Sequence, residues 1–190
     1  YHGPGAIAHK LNTMHGTKFH MQNMPETHGW MARMAFAGGR FEQFKVGRQM
    51  GKVYIYDINS AHPSGIARLP SLTHGYWREV NRIGEFSDFG VYFLRYSHYS
   101  ATSAIAPQPF FYRDRDGLVS FPLRVEGCYW TPEIEAMRTT GHDIDELYLG
   151  YEFVHDGTTP FDWVPEMYET RRRWKAEGRG AQMALKLGLN

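Results

Sequence analysis

The sequence predicts an α+β fold, and three features of its 190 residues support this class. Residues 52–58 are rich in Val, Tyr and Ile without polar alternation, which is typical of a strand buried on both faces. Between residues 76 and 153, short apolar runs alternate with turn residues, which indicates several more strands. The C-terminal residues have helical periodicity instead. Strands that are followed by a separate group of helices are typical of α+β proteins.

The charge and cysteine content exclude several classes of protein. There are 21 Lys and Arg against 20 Asp and Glu, which gives a net charge of +1. The protein therefore has no overall electrostatic attraction for nucleic acid or anionic lipid, and binding either of them would need a local positive patch. Cys128 is the only cysteine, which excludes an internal disulfide and a zinc site of several cysteines. Without a bilayer-spanning apolar run or a signal-peptide pattern, we expect no membrane partner and a cytoplasmic location. Because the sequence begins at Tyr1 and stops at Asn190 inside a predicted helix, we expect a piece of a longer protein.

The N-terminal part of the sequence carries few structural signals. Residues 1–35 are rich in His, Met and Gly without a sustained period, so we predict an irregular segment. Its histidines have spacings that match no compact metal-binding motif, and we therefore interpret them as solvent-exposed. They are His2, His9, His15, His20 and His28.

The strand predicted at residues 52–58 carries a carboxylate, Asp57, at its C-terminal end. Residues 59–63 then predict a turn and the start of a helix that leads to Ile66. From position alone, the preferred interpretation of a carboxylate at such a junction is a cap for the helix that follows, and ligand binding is the alternative.

The middle of the chain predicts strands, one hairpin and one helix. Asp116-Gly117 is a hairpin turn signal, and Thr131 followed by Pro132 predicts an N-cap and first helical position of a helix that Gly141 ends. The predicted strands are Val91–Tyr96, Phe110–Tyr112, Leu118–Phe121 and Leu147–Val154.

Two helices are predicted at residues 165–177 and 180–190, joined by a glycine-containing turn. Trp163, Met167 and Trp174 predict a buried stripe along the first of them. We therefore expect a helical hairpin that packs through its aromatic side.

The helical hairpin also carries cations at helical spacing. Arg171 and Lys175 lie one turn apart, and so do Lys186 and Asn190. Three such cations could hold a triphosphate beside a metal ion on Asp57, as in phosphoryl transfer. The alternative is a solvated charged face, since acidic residues share these helices; they are Glu166, Glu169 and Glu177.

Four short motifs resemble those of family B DNA polymerases. Residues 56–64, Tyr-Asp-Ile-Asn-Ser-Ala-His-Pro-Ser, resemble the first palm motif, Asp-x-x-Ser-x-Tyr-Pro-Ser. Residues 167–175 are similar to the Tyr-x-x-Arg-x-x-x-Lys element of the first fingers helix, and residues 186–190 to the opening of Lys-x-x-x-Asn-Ser-x-Tyr-Gly. Residues 36–39, Phe-Ala-Gly-Gly, resemble the template-contacting Tyr-x-Gly-Gly element. The order and spacing agree over about residues 34 to 190.

This resemblance implies a role for each matching residue. Asp57 would be one of two aspartates that bind a pair of Mg²⁺ ions, and the Ile58 carbonyl would contact the nucleotide-side metal. Backbone amides at the start of the following helix would meet the triphosphate, which suits a helix N-terminus. The implied nucleotide-binding residues are Ser60, Ala61, His62, Arg171, Lys175, Lys186 and Asn190, and the implied DNA-binding residues are Gly38 and Gly39.

The long segment between the palm and fingers motifs is similar to the insertion of the protein-primed branch of the family, found in phages and linear plasmids, which implies a host-cytoplasmic enzyme. The resemblance implies a linker with the Gly-Gly element at residues 1–51 and the start of the palm at 52–75. It implies an inserted subdomain that binds terminal protein and DNA at 76–158, and truncated fingers helices at 159–190.

Two departures from the family pattern affect these expectations. His62 replaces the tyrosine on which the sugar packs, so we expect weaker exclusion of ribonucleotides. The Tyr-x-Asp-Thr-Asp hairpin that supplies the second metal ligand is absent from the sequence. Asp114 and Asp116 have a similar spacing, but they precede the fingers and are typical of an exposed turn. Asp143 and Asp145 also precede the fingers, whereas the hairpin of the family follows them. We therefore expect the 190 residues alone to be inactive.

The resemblance thus implies part of a template-directed DNA polymerase that transfers a nucleotide from dNTP to a primer 3′-hydroxyl or a terminal-protein hydroxyl. Its partners would be primer-template DNA, dNTP and a terminal protein. A primer-independent or otherwise primed polymerase of family B is one alternative. A non-catalytic module that binds DNA or a replication partner is another, and a metal-dependent hydrolase built on Asp57 and the N-terminal histidines is the least favoured.

Overall fold

The computed structural model describes residues 3–17, 26–39, 46–58, 61–82, 84–98 and 110–189, and these form two compact units. The first unit contains residues 3–17, 46–58, 61–74 and 155–189, and the second contains 26–39, 75–82, 84–98 and 110–154. The helices are α1 (Pro4–Met14), α2 (Glu26–Met34), α3 (Ala61–Ile66), α4 (Thr131–Thr139), α5 (Val164–Ala176) and α6 (Gln182–Leu189). The strands are β1 (Gly75–Val80), β2 (Gly90–His98), β3 (Tyr112–Arg113), β4 (Val119–Ser120), β5 (Arg124–Trp130) and β6 (His142–His155). The predicted α+β class is confirmed.

The second unit is built on a four-stranded sheet in the order β1-β6-β2-β5, in which β2 pairs antiparallel with both β6 and β5. Side chains alternate between the two faces of β2. Tyr92 and Leu94 lie in the cluster that contains Met137 of α4, whereas Val91 lies in the cluster that contains Met31 of α2. A helix therefore covers each face of the sheet.

The first unit is a group of helices. Helix α6 packs against α1 and α5, and α3 packs against α5. Gly188 makes the α1–α6 approach possible, because a Cβ there would lie 2.7 Å from a methyl carbon of Ile7 and 2.9 Å from one of Leu11. Trp163 stacks on His15 with ring centroids 4.4 Å apart. The predicted division into palm, inserted subdomain and fingers remains a prediction.

Local signals predicted much of this structure correctly. The helices expected at residues 165–177 and 180–190 are α5 and α6, and the strands expected at 91–96 and 147–154 lie within β2 and β6. The hairpin at Asp116-Gly117 joins β3 to β4, where Gly117 has a φ of 83°. The N-terminal cap of α4 is one residue earlier than predicted.

The contacts at the start of α4 explain why its N-cap differs from the predicted residue. Trp130, not Thr131, is the N-cap, and its N–H donates to the Glu133 carboxylate at 2.8 Å. The Thr131 hydroxyl instead donates to the Ser87 carbonyl oxygen at 2.7 Å, far away in sequence. A tertiary hydrogen bond has therefore taken the side chain that would have capped the helix.

The prediction of an irregular N-terminal segment is wrong. Residues 4–14 and 26–34 form α1 and α2, because Leu11 and Met31 are buried against elements distant in sequence. His28 is also fully buried, between the rings of Trp77 and Tyr151, so its predicted exposure is wrong too. The histidines at positions 9 and 15 are exposed, and those at 2 and 20 lie outside the described residues.

The predicted buried strand at residues 52–58 is also wrong. This segment is irregular chain, in which Ile55 is 93% and Tyr56 is 90% exposed. A strand exists through hydrogen bonds to a neighbouring strand, and none of the described strands pairs with these residues. The apolar composition of the segment is not sufficient by itself to make it a strand.

Candidate functional site

Most of the predicted nucleotide-binding residues lie in the first unit. They are in α3, α5 and α6 or in the chain that leads into α3. Asp57 and Ile58 precede α3, and α3 begins at Ala61. Helix α3 packs on α5, and α5 packs on α6. The fold therefore brings the palm-like motif to the two fingers-like motifs, which lie more than a hundred residues later in the sequence.

The metal-binding and sugar-binding candidates are open to solvent. Asp57, Ile58, Ala61 and His62 are all exposed. Pro63, in the same short helix as Ala61 and His62, is buried and anchors α3. Two candidates, Ser60 and Asn190, lie outside the described residues.

Helix α5 places its candidate cations along a stripe that also contacts α3. Tyr168, Arg171 and Lys175 are three and four residues apart and so share one face of the helix. The Arg171 guanidinium carbon lies 5.8 Å from the centre of the Tyr168 ring, which is a cation–π contact. The Arg171 Nε is buried, and no hydrogen-bond acceptor contacts it among the described residues. Burying this donor without an acceptor is unfavourable.

A cleft of about 420 Å³ lies between α3 and α5, at the N-terminal end of this stripe. Tyr168 forms one wall with Val164, and Ala67 and Arg68 line the other side. Sequence reasoning did not find the cleft, although Tyr168 belongs to the Tyr-x-x-Arg-x-x-x-Lys element. The cleft depends on helix packing, for which no local sequence signal exists.

Helix α6 presents its candidate lysine to solvent. Leu185 and Leu189 are buried, whereas Lys186 is exposed. Because the apolar residues fix the orientation of the helix, the adjacent lysine is directed outward. Lys175 on α5 is exposed as well.

The described residues do not complete a metal site. They contain no group of three His, Cys, Asp or Glu side chains able to hold one ion. Asp57 supplies a single carboxylate, which does not fit the two-metal arrangement by itself. At the tip of the β3–β4 hairpin, Asp114 Oδ1 accepts hydrogen bonds from the N–H groups of Asp116 and Leu118 and so forms part of the turn. On β6, Asp145 Oδ2 accepts a hydrogen bond from the Ser97 hydroxyl at 2.6 Å.

The predicted DNA-contacting element lies in the second unit. Gly38 and Gly39 are exposed, and a Cβ at Gly38 would meet no atom within 4 Å. The Phe36 carbonyl oxygen accepts a hydrogen bond from Arg113 Nη2 at 3.2 Å. The element is therefore fixed to the strand that leads into the β3–β4 hairpin.

No protein-family model and no curated protein matches the sequence. The fold is similar to that of phi29 DNA polymerase. The solved structure is that polymerase complexed with primer-template DNA in a post-translocation binary complex, and the TM-score is 0.62 at 16% identity. The match covers 97% of this chain and 33% of the polymerase, so the chain spans about a third of its length. At 16% identity the match shows that the two folds are similar. This is the kind of fold that the sequence motifs imply.

None of the helices among the described residues is long and apolar enough to cross a membrane.

Proposed function

We propose that the chain is part of a protein-primed family B DNA polymerase and that its first unit binds the incoming dNTP. The observation that carries the proposal is the packing of α3, which begins four residues after Asp57, against α5, which bears Arg171 and Lys175. This packing occurs in a chain whose fold is similar to part of phi29 DNA polymerase. Motif order and fold are separate observations, and both support a polymerase.

In this proposal the cations of the helical hairpin hold the triphosphate. Arg171 would use its unpaired Nε and the rest of its guanidinium, while its contact with Tyr168 keeps the side chain extended along α5. Lys175 and Lys186 are exposed and would neutralise further phosphate charge. Placing cations where negative charge develops is the main contribution of protein side chains to phosphoryl transfer.

Asp57 and His62 would complete the nucleotide end of the site. Asp57, with the Ile58 carbonyl, would hold Mg²⁺ and so align the α-phosphate with the attacking primer or terminal-protein hydroxyl. His62 would lie against the sugar. Because one carboxylate does not complete the metal pair, we expect these 190 residues to bind dNTP without turning it over.

The proposal is tested by titrating the chain with a fluorescent dATP analogue in Mg²⁺ and measuring the Kd. Arg171→Ala should weaken binding about tenfold or more, since a charge-assisted hydrogen bond contributes about 1.5–3 kcal/mol. The matched control is Arg172→Ala in the same helix, because Arg172 is exposed and pairs with Glu169 at 3.1 Å. We expect no change in the control, and inorganic triphosphate should displace the analogue. Equal Kd values for the two variants would contradict the proposal.

The priming and metal parts of the proposal have a separate test in the parent gene. Sequencing beyond the codon for Asn190 should show Ser-x-Tyr-Gly directly and a paired-aspartate hairpin later. A stop codon at that point would remove the second metal ligand and would favour the non-catalytic binding module.

A further inference from the structure

The cleft between α3 and α5 (the α3–α5 cleft) is a second concave site of the first unit. Among the described residues that line it, none is assigned above to the metal, the sugar or the triphosphate. Its volume of about 420 Å³ is in the range of small-molecule sites, roughly 300–1,000 Å³. The cleft is therefore a candidate site for a ligand other than the nucleotide.

The sequence explains why the two helices leave a space between them. On the α3 side, three of the lining side chains are small, namely those of Pro63, Ser64 and Ala67. They cannot fill the space in front of the larger side chains of α5. The rings of Pro63 and Pro165 also lose almost no side-chain freedom when a ligand covers them. The walls are therefore largely preformed, which lowers the entropic cost of binding.

The inner surface of the α3–α5 cleft is apolar and includes one aromatic ring. Pro63 is buried and Val164 is 4% exposed, so these two residues form its most protected part. Tyr168 is half-buried, and its hydroxyl has no hydrogen-bond partner in the described part of the chain. Aromatic and proline rings offer flat apolar surfaces, and covering them removes apolar area from water. This surface favours a ligand with a planar apolar body.

Arg68 gives the α3–α5 cleft a positive charge. It is the one charged side chain among the described residues that line the cleft. Its Nε donates to the Ser64 carbonyl oxygen at 3.2 Å, which holds the guanidinium beside the cleft. Arg68 is exposed and forms no ion pair within the described ranges, so its two terminal nitrogens can reach a ligand. These nitrogens donate in parallel and match the two oxygens of a carboxylate.

From these observations we propose that the α3–α5 cleft binds a small aromatic carboxylate, with its ring on the apolar walls and its carboxylate at Arg68. A triphosphate suits the cleft poorly, since one cation cannot neutralise several negative charges beside apolar walls. A neutral apolar molecule would gain nothing from the arginine. The proposal goes beyond dNTP binding and does not rest on it.

The test is an NMR titration of the full chain with 2-naphthoate, and with 2-naphthamide as a neutral probe of the same shape. The naphthoate should bind about threefold more tightly or better, because only naphthoate forms a charge pair with the exposed Arg68. Arg68→Ala should raise the Kd of naphthoate to about that of naphthamide and leave the naphthamide Kd unchanged. The matched control is Arg173→Ala, because Arg173 is also exposed but does not line the cleft, and both Kd values should stay the same.

A second variant tests the position of the apolar body. Ala67→Leu adds side-chain volume inside the α3–α5 cleft and should abolish binding of both probes. Its control is Ala184→Leu, the same change at an exposed position of α6, which should bind both probes as before. Far-UV circular dichroism checks that both variants keep their helices. If Ala67→Leu does not fold, Arg68→Ala at the exposed position decides the question.

Several results would overturn the proposal. They are absence of measurable naphthoate binding, equal Kd values for the two probes, and an unchanged naphthoate Kd in Arg68→Ala. Displacement of naphthoate by inorganic triphosphate would overturn it as well, because the probe would then occupy the proposed nucleotide site. The naphthoate titration contains no nucleotide, so its failure is distinct from failure of the dATP titration.

Discussion

Replacement of Glu152 tests whether the buried carboxylate of β6 stabilises the second unit through the groups it binds. Glu152 is 4% exposed and accepts hydrogen bonds from Arg78 Nη2 at 2.5 Å, the Tyr92 hydroxyl at 3.0 Å and the Ser87 N–H at 3.4 Å. Burial raises the pKa of Tyr92 well above its usual value, so this hydroxyl remains a donor at all ordinary pH. Glu152→Ala leaves the Tyr92 hydroxyl without its acceptor.

The expected cost follows from the burial of each partner. A buried hydroxyl that loses its acceptor costs about 1–3 kcal/mol. The pair with Arg78 adds about 0–1 kcal/mol, because more than half of the arginine side chain is exposed to solvent. We therefore expect Glu152→Ala to lower the free energy of unfolding by about 1–4 kcal/mol. Tyr92→Phe should lower the free energy of unfolding by about 1 kcal/mol, because it removes the hydroxyl while Glu152 keeps its two other donors, Arg78 and Ser87.

The assay is urea unfolding followed by far-UV circular dichroism, with the double variant as the decisive sample. The Glu152→Ala cost should shrink by about 1–3 kcal/mol when Tyr92 is already Phe, because no hydroxyl is then left unpaired. The matched control is Glu146→Ala, which removes an exposed carboxylate paired with Arg95 and should cost less than about 1 kcal/mol. Strictly additive costs in the double variant would refute the reasoning.

Two further predictions concern buried titratable groups. Burial lowers the pKa of His28 below 6.5. As the pH falls, the unfolded state therefore binds a proton before the folded state does. The stability of the fold should decrease as the pH drops below about 6.5 toward the pKa of the folded state. His28→Phe should show a shallower loss in urea melts between pH 7 and 5, and parallel curves would contradict this. Burial raises the pKa of Cys128 to about 12, so a disulfide reagent at pH 8 should react with it in urea but not in the folded chain. Equal labelling rates in both states would show that the thiol is accessible.

The candidate site was predicted in part because its motifs are short and local. Arg171, Lys175 and Lys186 were identified from helical spacing and motif order, and the helices that carry them formed where expected. The contact of Arg171 with Tyr168, and its unpaired Nε, could not be predicted, because they depend on side-chain packing along α5. The second unit has a cleft lined by α2, β5 and the β3–β4 hairpin, and it was not predicted either, because these elements are distant in the sequence.

The sequence by itself determined the elements that are governed by neighbouring residues. Pro132 and Gly141 limit α4, and Gly117 sets the hairpin, because proline and glycine restrict or permit backbone conformations within a residue or two. Burial and strand pairing depend on partners from elsewhere in the chain. Only the tertiary structure therefore decided that His28 is buried between aromatic rings and that residues 52–58 stay exposed despite their apolar composition.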